Sequence, residues 1–454
     1  MDGSGDRQRT LRATPDDGAA PAGLRALVDA WLPGRRWYPA KGSTGTLPVV
    51  AVLTLEDPAG EATVRVELLR LPGGGLLQVP LVLRAPGSPA ATDAAPGAVV
   101  GRLADGTAVV DGTSDAAFLR AWLAAAEGDG AGAPDLGGAK VMTGEQSNTS
   151  VLLPAASPPA ILKVFRTVGV GPNPDVEVPL ALSRAGWRGV PRPLAWLAAS
   201  WPGADGEEGG HLGVLSELVT DAQDGFEVAC RHARDDEDFA DLARELGRTT
   251  AQMHDALRRA LPVGGSGAPV APRTPARTDA TVLATLRDRA AAAVTAAPLL
   301  ADRSGAVDRV LAQVEGLDLP PLQRVHGDYH LGQVLRAPGR GWVVLDFEGE
   351  PQASADERTR PDLALRDLAG MLRSVDYAAA VGHGTAAWAE RARDALVEGY
   401  LAEAGGVTTD RLTGTLLHAL ELDKALYEVV YESRNRPDWV AIPLGGVDRL
   451  LDAA

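Results

Sequence analysis

HGDYHLGQV, His326 to Val334, and WVVLDFEGEP, Trp342 to Pro351, form the stretch that decides the reading of this 454-residue chain. Arg324-Val325 reads as a strand that runs into His326 and ends at an aspartate-containing loop. A second, apolar strand, Trp342 to Leu345, ends at Asp346-Phe347-Glu348. Two carboxylates, Asp328 and Asp346, therefore stand at two strand ends, with the amide of Gln333 five residues after the first. Solvated or capping aspartates in ordinary loops would be the plain alternative. The joint occurrence of His-x-Asp, an amide at the fifth position and Asp-Phe-Glu at hairpin distance argues against it.

Phosphoryl transfer needs such a set. One carboxylate orients the nucleophile and accepts its proton, while an amide oxygen and a second carboxylate hold magnesium. Asp328, Gln333 and Asp346 match these parts in type and order. Upstream, PAILKVFR sets Lys163 among apolar neighbours on a strand, where burial of the ammonium requires an anionic partner. Nucleotide phosphates and a helix glutamate would supply one, and Glu177 in NPDVEVPLAL is the candidate. An edge-strand lysine with its head in solvent is the alternative.

Composition narrows the classes. A formal charge of −16 argues against nucleic acid as the main partner, since phosphate backbones need clustered cations. A nucleotide needs only a local positive site. The single Cys230 excludes an intrachain disulfide framework and any cysteine-based metal cluster. No stretch approaches the roughly 18 uninterrupted apolar residues of a membrane span, and MDGSGDRQRT is polar, so a soluble, cytoplasmic protein is expected. Lysine occurs only at positions 41, 140, 163 and 424, which makes each worth examining.

Residues 1–20 read as a disordered, Gly-, Asp- and Pro-rich terminus. Residues 21–130 read as a small α+β unit: a helix through Leu24 and Trp31, the aromatic and basic block WLPGRRWYPAKG, and an antiparallel meander from Leu47 to Arg84. A hairpin at Asp105-Gly106 and a helix capped by Ser114 or Asp115 complete it. EGDGAGAPDLGGA, Glu127 to Ala139, reads as a linker.

Residues 131–220 then supply strands. In AKVMTGEQSNTSVLL a turn offers Gly144, Ser147, Asn148 and Thr149 as donors to ATP phosphates, or is an ordinary hairpin. Residues 217 to 219, with Glu217 and Val219, fall where backbone groups would meet the adenine edge. Residues 221–454 read as helical, with runs at Asp235 to Leu261, Val282 to Val314, Leu363 to Ala379, Thr385 to Ala404 and Arg411 to Asn435. In the last run Lys424, Glu428 and Glu432 repeat every four residues beside Tyr427 and Tyr431, followed by Arg434, Arg436 and Trp439. That set suits a polyhydroxylated ligand as well as it suits a salt-bridged helix with tyrosines packed inward.

HGDYHLGQV, DFEGEP, EQSNTSV, LKVF, NPDVE, RRWYPAKG and ALYEVVYESRNRPDW together resemble the actinobacterial maltokinases, within the aminoglycoside phosphotransferase superfamily. The resemblance implies an α+β, bilobal kinase-like fold with an N-terminal cap subdomain, a β-rich N-lobe and a helical C-lobe. It implies ATP- and magnesium-dependent phosphorylation of maltose at the anomeric hydroxyl, giving maltose 1-phosphate for α-glucan synthesis. Asp328 would be the base, Gln333 and Asp346 magnesium ligands, Glu348 a further acid at the metal, and Lys163 the phosphate lysine paired to Glu177. His330, Glu428, Tyr431, Glu432 and Arg436 would line the sugar site. Gln333 stands where the protein-kinase pattern has asparagine.

Two other readings stay open. One is a glucosamine, amino-sugar or aminoglycoside kinase on the same scaffold, for which Glu428 and Glu432 would hold an ammonium. The other is a nucleotide-binding pseudokinase acting as an interaction module. Association with a trehalose- and maltose-interconverting enzyme would suit either the maltokinase or the module.

Overall fold

The alternation after Leu47 forms an antiparallel ladder in the computed structural model, which describes residues 10–15, 20–39, 45–88, 97–142, 147–204, 206–263, 279–349, 358–404 and 410–453. Strands Val49–Leu55, Thr63–Arg70 and Leu76–Arg84 pair in succession. Leu76–Arg84 also pairs with Ala108–Asp111, and that strand pairs with Val99–Arg102 across the Asp105-Gly106 turn. Asp115 caps helix Ala116–Ala125 through the amide of Ala117 at 2.8 Å and takes the Arg84 guanidinium in a buried fork at 2.6 and 2.7 Å.

The chain divides into two compact units. One comprises Met1–Leu180 with Pro191–Thr220, the other Ala181–Val190 with Asp221–Ala454. In the first, a second sheet orders its strands Leu11–Arg12, Pro193–Gly203, Gly206–Glu217, Ala160–Val164, Thr149–Leu153 and Lys140–Val141. Leu53, Val66, Val82, Trp122, Leu162, Leu197 and Trp201 from the two sheets and the helix belong to one buried cluster. Polar groups join them as well. The fully buried Arg166 reaches Asp111 at 2.8 Å, Thr113 at 3.1 Å and Thr149 at 2.8 Å, and lies 3.9 Å over the Trp37 ring. Gln78 donates to the carbonyls of Phe165 and Leu212 at 2.6 and 2.8 Å. Part of residues 51–126 and the strands after them therefore share that interior, while Leu24, Trp31, Tyr38, Leu77 and Val109 belong to a second buried cluster.

The stretch expected as a linker is pinned. Glu127 exchanges backbone hydrogen bonds with Trp196, both 2.9 Å, and Gly130 donates to Leu194 at 2.7 Å. A Cβ at Gly128 would sit 2.5 Å from the Leu194 carbonyl, so glycine here permits close backbone approach.

The second unit is helical: Gly225–Arg234, Ala240–Ala260, Asp279–Ala296, Ser304–Ala312, Leu365–Gly382, Ala386–Ala404, Asp410–Asn435 and Ala441–Asp452. The run expected from Asp235 begins only at Ala240, after Asp236 turns the chain at φ 51°. The run expected from Val282 to Val314 breaks at Pro298. Helix Ala441–Asp452 escaped the sequence reading because Pro443 and two glycines mask its pattern. Arg324-Val325 is not a strand. Gln323 makes an isolated bridge with Asp362, and the ladder is the hairpin Val334–Ala337 with Gly341–Val344, joined by Gln223–Asp224. The fold is thus α+β, β-rich first and helical after. Among the described residues no helix is long and apolar enough to cross a membrane.

Candidate active site

The loop from His326 to Val334 is held from behind by one buried carboxylate. Asp367, in the first turn of helix Leu365–Gly382, accepts the amides of His326 at 2.8 Å and Gly327 at 2.9 Å. His254 meets its Oδ2 at 3.0 Å, and Tyr400 meets the other ring nitrogen of His254 at 3.0 Å. Burial would raise the Asp367 pKa, but the His254 hydrogen bond, the neighbouring histidines and the Gly327 amide outweigh it and hold the carboxyl below its usual range. Gly370, one turn on, lets the helix approach the loop: a Cβ there would lie 2.6 Å from the Tyr329 carbonyl. Leu331 donates to Ser374 at 3.0 Å, and the His326 ring bonds the Leu345 carbonyl at 2.7 Å.

Asp328 projects from this clamped loop. Its Oδ1 lies 3.5 Å from Lys424 Nζ and its Oδ2 4.0 Å from His330 Nε2. Lys424 is one turn before Glu428 on helix Asp410–Asn435 and 4.9 Å from the Tyr427 ring centre. His330 Nδ1 accepts the Gly332 amide at 3.1 Å, which leaves the ring proton on Nε2, toward Asp328. Desolvation by burial pushes this imidazole below its ordinary pKa, against the pull of Asp328, although 41% of the side chain still reaches solvent. A neutral donor and an ammonium thus flank one carboxylate. That arrangement fixes the direction of the Asp328 carboxylate.

Beyond the loop, Gln333 Nε2 donates to Asp346 Oδ2 at 3.0 Å. Asp346 has φ 59°, a left-handed conformation that fixes the direction of its carboxylate at the end of the hairpin. The half-buried Glu348 follows two residues later. A carboxylate and an amide are hard oxygen donors that fit a magnesium ion. Ligation by both requires the Gln333 amide to present its oxygen where it now presents nitrogen.

The first unit changes the expected lysine pair. Lys163, on strand Ala160–Val164, is bonded to Asp175. Asp175 is fixed by Asn173, whose side chain accepts its amide at 2.9 Å at the start of helix Pro174–Arg184. Glu177 is two residues further, about 200° around the helix, and is not the partner. Asn148 and Thr149, expected to face phosphates, turn inward. Asn148 Oδ1 accepts the Arg166 amide at 3.3 Å, and Thr149 Oγ1 accepts the Arg166 guanidinium. The desolvated arginine needs those acceptors. Ser147 is exposed, and Gly144 lies outside the described residues. Strand Gly206–Glu217 ends at Glu217, whose amide bonds the Arg192 carbonyl at 2.9 Å, and Val219 is half-buried just beyond.

On helix Asp410–Asn435 the expected sugar residues are largely engaged with their own chain. Glu428 accepts Arg373 Nε at 2.9 Å, and burial raises its pKa against the pull of Arg373 and Lys424. Arg373 is itself buried between Glu428 and Asp376, and these charges keep it protonated although burial opposes its charge. Glu432 accepts Tyr377 at 3.1 Å and Arg436 at 2.8 Å through one oxygen. Its other oxygen is buried with no hydrogen-bond partner among the described residues. Arg436 lies 5.5 Å from the Tyr431 ring centre and 4.8 Å from that of Trp439. Sequence reasoning missed Asp367, His254 and Arg373 and gave Lys424 no role at the base. The scarcity of lysine and the repeat of Lys424, Glu428 and Glu432 every four residues were the signals that pointed to the last.

A clamped loop that presents a carboxylate between a lysine and a histidine, with an amide–carboxylate pair on the adjoining hairpin, fits group transfer to a hydroxyl. The chain belongs to the phosphotransferase enzyme family, which its residues 143–414 match, and it is a phosphotransferase with the kinase-like fold of that family. Residues 31–115 match the maltokinase N-terminal cap domain, in keeping with the maltokinase resemblance. The chain is 31% identical over 339 residues to a glucosamine kinase of Mycolicibacterium smegmatis, covering 69% of this chain and 80% of that one. It is 30% identical over 356 residues to a glucosamine kinase of Streptacidiphilus jiangxiensis, covering 73% and 76%. A solved glucosamine kinase in complex with glucosamine, ADP and inorganic phosphate superposes with a TM-score of 0.66 at 25% identity, over 94% of this chain and 99% of that one.

Proposed function

We propose that this phosphotransferase is a cytoplasmic sugar kinase that moves the γ-phosphoryl group of ATP to the anomeric hydroxyl of maltose, giving maltose 1-phosphate and ADP. The observation that carries the reading is Asp328, held 3.5 Å from Lys424 on a loop clamped by Asp367. Asp328 accepts a hydrogen bond from the 1-hydroxyl and takes its proton as the new P–O bond forms. His330 Nε2–H and Lys424 hold the carboxylate in place until then. Lys163, steadied by Asp175, offers its ammonium to the α- and β-phosphates. Asp346 and Gln333 would hold magnesium, which supplies charge neutralisation on the phosphates, with Glu348 near it. Because the transition state is loose, alignment and charge neutralisation account for most of the acceleration, and the base adds a smaller factor.

The sugar sits against helix Asp410–Asn435. Tyr431 with Arg436 offers a face and donors to a ring. Maltose is favoured by the maltokinase cap and by the commitment of Glu428 to Arg373. Glucosamine is the second reading, favoured by the two relatives that bear that name. ADP release from magnesium–ATP with maltose, glucose, glucosamine, trehalose or an aminoglycoside separates them. Turnover with maltose supports the first reading, and turnover with glucosamine alone replaces it.

A further inference from the structure

The helical unit holds a cleft of about 520 Å³ that runs from Gly327 to helix Asp410–Asn435 and is strongly cationic. Arg289, Arg358, Arg360, Arg366 and Arg434 line it, against two carboxylates. Those carboxylates are already engaged. Asp423 takes Arg289 at 3.1 Å and Arg366 at 2.7 Å, and Asp362 takes Arg366 at 3.0 Å. Arg360 and Arg434 have no ion-pair partner among the described residues. Like charges gathered in a concave, low-dielectric wall repel, and an anion relieves that repulsion.

The remaining wall is apolar or aromatic. Ala292, Ala293 and Ala296 form one side, and the rings of Tyr427 and Tyr431, 6.3 Å apart at 24°, form another. Guanidinium forks match the oxygens of a phosphate monoester, and a tyrosine face matches the apolar side of a sugar ring. We propose that this cleft binds a sugar phosphate, the phosphate on Arg360 and Arg434 and the ring against Tyr427. The cleft is bounded by the residue that precedes Asp328, so the ligand inhibits by competing with the acceptor sugar. The competition rests on the acceptor reading above, whereas binding itself does not.

Calorimetry on the full chain without nucleotide uses maltose 1-phosphate, glucose 1-phosphate, inorganic phosphate and, as neutral control, glucose. Binding of either ester, tighter than inorganic phosphate and weakened by salt, is the expected result. Maltose 1-phosphate alone would identify the enzyme's own product as the source, and both esters would identify a general sugar-phosphate site. Arg360→Gln with Arg434→Gln should weaken binding by about tenfold or more for each charge-assisted bond lost. The thermal transition of the double variant, checked on the same sample, should match that of the parent. No binding heat from any phosphate, equal affinity for inorganic phosphate and the esters, or undiminished affinity in the double variant would overturn the proposal.

Discussion

Asp367→Asn tests how Asp328, the proposed base, is positioned, because it keeps the shape of the side chain and changes only which atoms accept. The carboxylate serves three donors: the amides of His326 and Gly327 and the ring of His254. An asparagine has one oxygen, so at least one amide must face an NH2 group. Hydrogen bonds to a buried charge contribute about 1.5–3 kcal/mol each, and a buried donor left unmade costs a similar amount. A loss of roughly 3–5 kcal/mol is therefore expected, concentrated on the loop.

A displacement of the base by about 1 Å lowers turnover about 100-fold. Nucleotide affinity should stay near its original value, because Lys163 and Asp175 are untouched. Hydrogen exchange at the His326 and Gly327 amides, read beside kcat and the nucleotide Kd, checks this. The pH dependence adds a second readout. The folded Asp367 carboxyl lies below its ordinary range, so its contribution is present above about pH 4 and is lost as pH falls through the folded value. The variant should lack that acid-side loss. Unchanged amide protection together with unchanged kcat would refute the reasoning.

Three further outcomes follow from the same geometry. Asp328→Asn should lower kcat by orders of magnitude with nucleotide binding retained, and loss of nucleotide binding in that variant, measured by calorimetry, would give Asp328 a structural role instead. Asp175→Asn should weaken ATP binding by about tenfold or more while Glu177→Gln leaves it nearly unchanged, because Lys163 is bonded to the former; nucleotide titrations of the two proteins decide it. Burial pushes His211 down to about 4 from 6.5, and its Nδ1 accepts the Asn173 amide, so its neutral form stabilises the first unit above pH 6.5. That contribution, up to about 3 kcal/mol, is lost as pH falls toward 4, and urea midpoints at pH 7 and pH 4.5 for the parent and His211→Gln read it.

The parts legible in the sequence were those written in short range. Asp328, Gln333 and Asp346 lie within one loop and hairpin, and the alternation of the meander and the Asp115 cap are local signals. The clamp was not legible, because Asp367 and His254 reach the loop from separate helices and nothing in their own neighbourhoods marks them. Asp175 and Glu177 could not be ranked from spacing, since both fall in the first turn of one helix and only its rotation selects between them. Asn148 and Thr149 were read as phosphate donors because small polar residues in a turn look alike from sequence. Their partner, Arg166, is buried by a sheet formed from residues far upstream. The spacing of the last helix suits its carboxylates to a sugar or to ion pairs along their own helix, whereas Glu428 answers a buried arginine on another helix.

The central claim is phosphoryl transfer to the anomeric oxygen of maltose, and the phosphorus–proton coupling in the product tests it most directly. After incubation with magnesium–ATP and maltose, the phosphorus signal should split against the anomeric proton and should be lost with Asp328→Asn. A product phosphorylated only when glucosamine is supplied, with maltose returned unchanged, would contradict the account.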